Sequence, residues 1–495
     1  MLQIKRKSLL FLGVFLILCI FSIFLFFSNK GLFSAKFTNQ PNIIFISIDT
    51  LRPDHLMAYG YSKDTSPNIT AWAKEYAYIM QNAYTLTPIT YPSFTTLLTG
   101  VSPFDTHIYN NGKVEQEEDG KYVSYPNTGF AQIPTSIPTI TSLLKTKGYA
   151  TAAFGENYVL QNKYTNIGKD FDTYEVFGES NITEGITNKS LDWMQRAVEK
   201  NNPFFLWVHY IDPHEEFTPR GENACLFNFR YCQTIQAQSV PALAKNAKDQ
   251  EGCHFAPLSD DQIGVQETLY DGEIYQTDNS VGRLLSFIKE NNLDKNSIIV
   301  LYSDHGESFD HNYYFTHSEM LYESSVRVMM MVSLPGTKAG GQKIVTPVTN
   351  ADVLPTLLEI LGWESKSGSS FAKLLTPNQK EESLSSEKSI FYLNENASKF
   401  AVRKGEYKYI YTIAERTSEC LSQQTEELYN VVADPDETEN LVTEMPSLTK
   451  TLKSLLLDHL EKTEIIPTGN PIPKVTRPAT QEDQEVLKTI RDLGY

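Results

Sequence analysis

The segment PNIIFISIDTLRPDHLMAYGY, residues 41–61, decides how the rest of the chain is read. Its early part, Ile43 to Ile48, is an uninterrupted apolar run without polar alternation, the pattern of a strand buried on both faces of a parallel sheet. Such a strand delivers Asp49 at its carboxyl end, and open α/β sheets bind ligands beyond the carboxyl ends of their strands. Asp also forms turns and caps helices, so this position alone leaves a structural role open.

Working outward, SIIVLYSDHGES at residues 297–308 repeats the arrangement: a buried run, Ile298 to Tyr302, ends in Asp304, His305 and Gly306. Two β-branched strands that each end in a carboxylate, one with an adjacent imidazole, suit the ligands of a single divalent cation. In PFFLWVHYIDPHEEF, residues 203–217, the strand Phe204 to Tyr210 carries His209 and exposes Asp212 and His214 just past its end. In HNYYFTHSEMLYESSVRV, residues 311–328, His311 and His317 lie in one short loop. The chain has only nine histidines in 495 residues, and five fall in these segments, which concentrates proton-transfer and metal-binding groups beside the two strand ends. Each could also be a surface or hydrogen-bonded structural histidine; His214 and His317 are the stronger functional candidates, ahead of His209 and His311.

The stretch TYPSFTTLLTG, residues 90–100, supplies a hydroxyl residue, a proline two places on, and an apolar run closing in Thr-Gly. A turn-to-helix opening of this kind can hold the Thr90 oxygen rigidly over a metal and surround an oxyanion with backbone N–H groups. On its own it reads equally as a capped helix start.

The order of strand-end Asp49, Thr90-x-Pro-x-x-x-x-Leu-Leu-Thr-Gly, Asp-Pro-His, YDGEIYQTDNSVGRLLSFIKE, SDHGE, HSEMLYESSVRV, VTNADVLPTLLEILG and EELYNVVADPDETENL resembles the sulfatase branch of the alkaline phosphatase superfamily, over Pro41 to Leu441. The resemblance implies a metal-bound nucleophile that attacks a sulfate or phosphate ester through a covalent intermediate, with Asp49, Asp304 and His305 on the cation. Two positions depart from the sulfatase pattern. Sulfatases carry Cys/Ser-x-Pro-x-Arg, the Cys or Ser being oxidised to formylglycine; here the matching residues are Thr90, Pro92 and Phe94, and a threonine cannot yield that aldehyde. The local string is similar instead to the nucleotide pyrophosphatase/phosphodiesterase branch, whose nucleophile is an unmodified threonine. Thr50 stands where many sulfatases have a second Asp.

Read this way, Thr90 Oγ1 attacks phosphorus or sulfur and His214 or His317 protonates the departing alkoxide. Asp212, His214 and His317 either form a second metal site or act only on the leaving group. Fewer oxygen donors and an added imidazole shift the expected ion from calcium toward zinc or manganese, one or two per chain. Four outcomes are compatible with the sequence: a hydrolase of phosphate mono- or diesters, a transferase of phospho-alcohol groups onto glycan or lipid, a sulfatase working without formylglycine, and a binding protein that has lost turnover. The substrate is expected to be a small-molecule, glycan or lipid ester.

A length of 495 residues with 41% hydrophobic content allows one sizeable α/β core and a smaller second unit. A net charge of −17 argues against a nucleic-acid partner. Lys5, Arg6 and Lys7 precede an uncharged apolar run, Ser8 to Phe27, long enough to cross a bilayer, and no small-residue cleavage site follows it. A retained signal anchor is therefore expected, with the basic flank in the cytoplasm and the catalytic body outside. Cys225, Cys232, Cys253 and Cys420 allow three disulfide pairings; Cys225 with Cys232 or Cys253 would staple an insertion spanning Gly221 to Asp261, and a small zinc site with His254 is the alternative. Asn68, Asn181, Asn188 and Asn396 begin Asn-x-Ser/Thr sequons.

The expected fold is α/β: a doubly wound, mostly parallel sheet flanked by helices, plus a small C-terminal antiparallel sheet subdomain. Its domains are expected at 1–38 (basic tail and anchor), 39–375 (catalytic) and 376–495 (α+β). Tyr149 to Phe154 and Val328 to Leu334 read as further strands. Tyr270, Ile274, Val281, Leu285 and Ile288 recur at helical spacing, with Glu273 and Asp278 on the other faces. The polar stretch Thr376 to Lys388 reads as the boundary before strands at Ser389 to Asn394, Phe400 to Val402 and Tyr407 to Ile413, with terminal helices beyond.

Overall fold

A computed structural model describes residues 40–465, except 110–114, 117–120, 125–131, 163, 179–182, 232–257, 366–367, 377–387, 396 and 414–423, and also Val475–Pro478. The expected anchor, Ser8 to Phe27, lies outside the described residues, as does most of Thr376 to Lys388. Among the described residues no helix is long and apolar enough to cross a membrane.

The fold is the expected α/β arrangement. Eight strands form one sheet in the order Gln342–Ile344, Tyr78–Met80, Met330–Ser333, Ser297–Ser303, Asn42–Ile48, Phe204–Tyr210, Ala150–Glu156 and Thr173–Phe177. All pairings are parallel except those of Met330–Ser333, which runs antiparallel to both neighbours. The three central apolar runs are buried at every position, because helices cover both faces of the sheet. Side chains of alternating parity feed two cores: Ile43, Phe45 and Trp207 pack on one side, Ile44, Ile46 and Val208 on the other.

Asp260–Glu290 is a single 31-residue helix, longer than its apolar spacing alone suggested, opened by a capping box between Ser259 and Gln262. Glu273 and Asp278, on the other faces of this helix, are both buried. Asp278 accepts hydrogen bonds from the backbone of Asn68 (2.9 Å) and Ile69 (2.8 Å), capping the neighbouring helix Pro67–Tyr76, and Glu273 accepts one from Thr218 N (2.5 Å).

The C-terminal antiparallel sheet has four strands, Ser389–Leu393, Lys399–Lys404, Tyr407–Thr412 and Thr425–Asn430, each paired with the next. The fourth overlaps EELYNVV, where two adjacent glutamates break the strand's alternation. The helix Pro446–Lys462 buries Leu452, Leu456 and Leu460 against this sheet. A buried ionic cluster joins sheet and catalytic body: Lys408 Nζ lies 3.1 Å from Glu323 Oε1 and 2.6 Å from Glu437 Oε1.

Candidate metal and nucleophile site

Strand register alone brings the two strand-end acids together. Ile48 pairs with Ser303 on one side and with Tyr210 on the other, so Asp49 and Asp304 leave adjacent strands at the same level. Among the described residues, Asp49, Asp304 and His305 form the one group of three or more potential ligands whose atoms all lie within 4.8 Å of one another, and all three are fully buried.

Each carboxylate has one oxygen tied down and the other left over. Asp304 Oδ1 accepts the backbone N–H groups of Thr50 (3.2 Å) and His305 (3.0 Å), while its Oδ2 has no hydrogen-bond partner. Asp49 Oδ2 accepts from Asn157 Nδ2 (2.7 Å) and faces His209 Nε2 at 3.3 Å, while its Oδ1 has none. The two orphan oxygens are the ones that approach His305 Nε2, Asp304 Oδ2 at 3.5 Å and Asp49 Oδ1 at 3.7 Å. His305 Nδ1 donates to its neighbour's carbonyl, Gly306 O (3.0 Å), so the Nε2 lone pair points into the same space.

Thr90 completes the arrangement. It is the first residue of the helix Thr90–Thr99, at the positive end of the helix dipole, and its Oγ1 lies 3.2 Å from His305 Nε2. Gly100, at φ 66°, ends that helix in the left-handed conformation that favours glycine. Gly306 is required by close approach, since a Cβ there would meet Ser324 O at 1.9 Å. Thr50 adopts φ 51°, an uncommon conformation for a β-branched residue, and its backbone N–H is thereby turned onto Asp304.

Electrostatics mark the same place. Burial opposes ionisation of Asp49, yet the imidazoles of His209, His214 and His305 hold its carboxyl well below the usual range. Burial, and then repulsion from Asp49, pushes Asp304 well above it. Burial, with His317 nearby, keeps His305 neutral far below its ordinary titration. Two carboxylates and a neutral imidazole converging with unsatisfied lone pairs in a buried space fit a divalent cation, which would remove the carboxylate repulsion. Burial also raises Glu307 to about 8; its carboxylate lies 3.6 Å from His317 Nδ1.

His214 and His317 sit above this group, their rings 5.0 Å apart, with His317 4.3 Å from the His305 ring. His214 Nδ1 donates to Glu215 O (2.7 Å). Asp212, expected with these two histidines, is not brought to them. Its Oδ2 accepts from Thr183 (3.2 Å) and Gln276 (3.1 Å), because the helices Thr183–Lys200 and Asp260–Glu290 supply donors behind the loop, and burial raises its titration. A second carboxylate-His-His ligand group is therefore not formed there. His311 is also away from the site, paired with Asp310 (2.7 Å), bonded to Glu437 O (3.0 Å) and stacked on Tyr322. Phe94 packs its ring against Trp207, His209 and Tyr302. Asn157 was missed in the sequence, although it directly follows the strand Ala150–Glu156, where the strand-end rule applies.

A family model described as Sulfatase matches residues 41–363, and one described as N-sulphoglucosamine sulphohydrolase, C-terminal, matches residues 310–464. The chain belongs to the sulfatase family. It is 23% identical over 465 residues to a choline-sulfatase of Rhizobium meliloti (strain 1021), covering 82% of this chain and 83% of that protein. Its fold is similar to that of a phosphonate monoester hydrolase of Agrobacterium radiobacter, with TM-score 0.64 and 16% identity over 86% of this chain and 96% of the other. It is also similar to a structure solved in complex with its substrate D-glucosamine-2-N,6-O-disulfate, with TM-score 0.65 and 18% identity over 86% of this chain and 98% of the other. This sulfatase-family chain is thus a hydrolase of sulfate or phosphate esters with a buried Asp/His group suited to a divalent cation.

Proposed function

We propose that the chain hydrolyses phosphate mono- or diesters through a covalent intermediate on Thr90. The observation that carries this reading is the 3.2 Å approach of Thr90 Oγ1 to His305 Nε2, within a group that also offers Asp49 Oδ1 and Asp304 Oδ2. Those four atoms would hold a divalent cation, zinc or manganese by the mixed oxygen and nitrogen set, which supplies Lewis-acid polarisation of the ester and favours the threonine alkoxide. Thr90 enters the cycle without its proton, released to solvent, and Oγ1 forms a bond to phosphorus as the ester oxygen leaves. His214 or His317 gives that oxygen a proton. Water then attacks phosphorus, its proton passes to the same imidazole, and Thr90 is freed.

Among the described residues, the side chains that lower Asp49 are imidazoles, and the Arg52 guanidinium is engaged by Asp54 (2.7 Å) and by Glu307 O (3.2 Å). A site that, among the described residues, is short of fixed cationic side chains suits a singly charged ester better than a dianionic one, which favours diesters and phosphonate monoesters over phosphate monoesters. A sulfate ester carries the same single charge. A sulfatase acting without formylglycine is therefore the second reading, favoured by the sulfatase relatives, and a glycan ester is a substrate class both readings share.

The chain is further proposed to be held in a membrane by residues 1–38 with its catalytic body on the extracytoplasmic side. Cys225 is disulfide-bonded, which excludes it from a zinc site and suits an oxidising compartment. Protease accessibility in intact cells or spheroplasts would test the location.

The enzymatic reading is tested with a panel of aryl phosphate, phosphodiester, phosphonate and sulfate esters on wild type and Thr90→Ala, with mass spectrometry of denatured enzyme trapped during turnover. Phosphate on the peptide containing Thr90, and loss of at least about 10³-fold in turnover in the variant, are expected. Wild-type rates in Thr90→Ala would refute the nucleophile. Preferential sulfate turnover would establish the second reading, and label on an added alcohol would make the chain a transferase.

A further inference from the structure

We infer that His209, set by Ser47 and Trp207, is a positioning residue that turns Asp49 toward the cation; this rests on Asp49 being a cation ligand. Ser47 and His209 are register partners on adjacent strands, two residues before Asp49 and two after Trp207 respectively, so all four belong to one face of the sheet. Phe94 reaches that face from the helix Thr90–Thr99, its ring centroid 4.8 Å from Trp207 and 4.9 Å from His209. The position that carries a guanidinium in the sulfatase signature is here an apolar ring, and the polar group lying against it is an imidazole.

The hydrogen bonds fix how that imidazole is turned. Trp207 Nε1 can only donate, and does so to Ser47 Oγ at 2.9 Å. The Ser47 hydroxyl has two acceptors in reach, His209 Nδ1 at 2.9 Å and Val208 O at 3.4 Å. Donation to the nearer one leaves Nδ1 without a proton and places it on Nε2, which faces Asp49 Oδ2 at 3.3 Å. The opposite tautomer would set the Nε2 lone pair against a carboxylate oxygen. Asn157 Nδ2 at 2.7 Å holds Oδ2, the imidazole lies against the same oxygen at ion-pair distance without an aligned hydrogen bond, and Oδ1 is left as the oxygen offered beside His305 and Asp304.

The test titrates manganese(II) alone into metal-stripped protein, following free ion by electron paramagnetic resonance, with nitrogen NMR of the imidazoles. His209→Ala is expected to weaken manganese affinity by about 10- to 100-fold, with His209→Gln, which retains a donor, recovering at least half of the logarithmic loss. Ser47→Ala should also weaken it, and the NMR signature of His209 should move from the Nε2–H tautomer in wild type toward Nδ1–H. Asp49→Asn is the control for the underlying reading: manganese binding as in wild type would overturn the cation site itself. If Asp49→Asn abolishes binding while His209→Ala changes it by less than fivefold, the site stands and this inference fails. Should His209→Ala not fold, Ser47→Ala decides: unchanged tautomer and unchanged affinity overturn the inference, and a change in both supports it.

Discussion

Replacing Asp304 by Asn should have opposite effects on the metal-free and metal-loaded protein. Without a cation, the carboxylates of Asp49 and Asp304 face each other within 4.8 Å in a fully buried space. At that separation two unit charges repel by about 3.5 kcal/mol for an effective dielectric constant of ~20. The wild type relieves part of this by taking up a proton, so the gain on removing one charge is smaller, about 1–3 kcal/mol at neutral pH. The asparagine keeps the Oδ1 acceptor for Thr50 N and His305 N, and its amide nitrogen would present a donor to Asp49 Oδ1 and His305 Nε2. The expectation is therefore a metal-stripped variant more stable than wild type. Saturating metal should stabilise wild type by about 2.7 kcal/mol at 100 times its dissociation constant, and the variant by much less. Urea unfolding at neutral pH with chelator, and again with manganese or zinc, measures both. A metal-free variant less stable than wild type, or one gaining the same stability from metal, would refute the claim that these two acids form one cation site.

Three further outcomes are expected. Asp278→Ala should lose about 1–3 kcal/mol of stability, because both backbone N–H groups it caps at the start of Pro67–Tyr76 lose their acceptor; intact circular dichroism with an unchanged urea midpoint would contradict this. Burial raises Asp278 to about 6, above the ordinary 3.8, so the folded state holds the extra proton and stability should fall by up to about 3 kcal/mol as pH rises from ~4 to ~6, a slope that Asp278→Asn should flatten. Lys408→Met should cost about 3–5 kcal/mol, since Glu323 and Glu437 would then share a buried space without the ammonium between them; the same change made together with Glu437→Leu should recover part of the loss in denaturant titrations.

The central strands were legible because apolar runs without alternation have few other readings, and the same runs carried Asp49 and Asp304 to their ends. What the sequence could not supply is direction. Asp212 follows its strand as Asp49 does, yet its carboxylate is engaged by donors from Thr183 and Gln276. Those donors lie 29 and 64 residues away in the chain, so no local pattern announces them. His311 was drawn away by Asp310 beside it and by Glu437 in the C-terminal part. The buried acids Glu273 and Asp278 lie off the helix's apolar stripe, and only the backbone N–H groups they accept from, at the start of Pro67–Tyr76 and at Thr218, reveal their purpose. Asn157 was within reach, because it occupies the same strand-end position as the acids.

The C-terminal sheet takes part in the site through the segment that carries His317. Asn394 Nδ2 donates to Glu319 O (3.2 Å), Glu395 N to Ser318 O (3.1 Å) and Lys408 Nζ to Leu321 O (2.9 Å), so three of the four backbone carbonyls after His317 are held by the C-terminal sheet and the turn after its first strand. Ser318 itself sits at φ 82°, a conformation a serine keeps only when its neighbours impose it. From the catalytic body, Tyr313 donates its hydroxyl proton to His317 O and accepts the Glu319 N–H (3.1 Å). The imidazole nearest His305 is thus fixed by two units that meet across it. Asn394→Ala removes one grip without touching the cation ligands, so its effect should appear as a roughly tenfold lower kcat at unchanged manganese affinity. Equal losses in metal binding and turnover would instead mean that the C-terminal sheet supports only the fold.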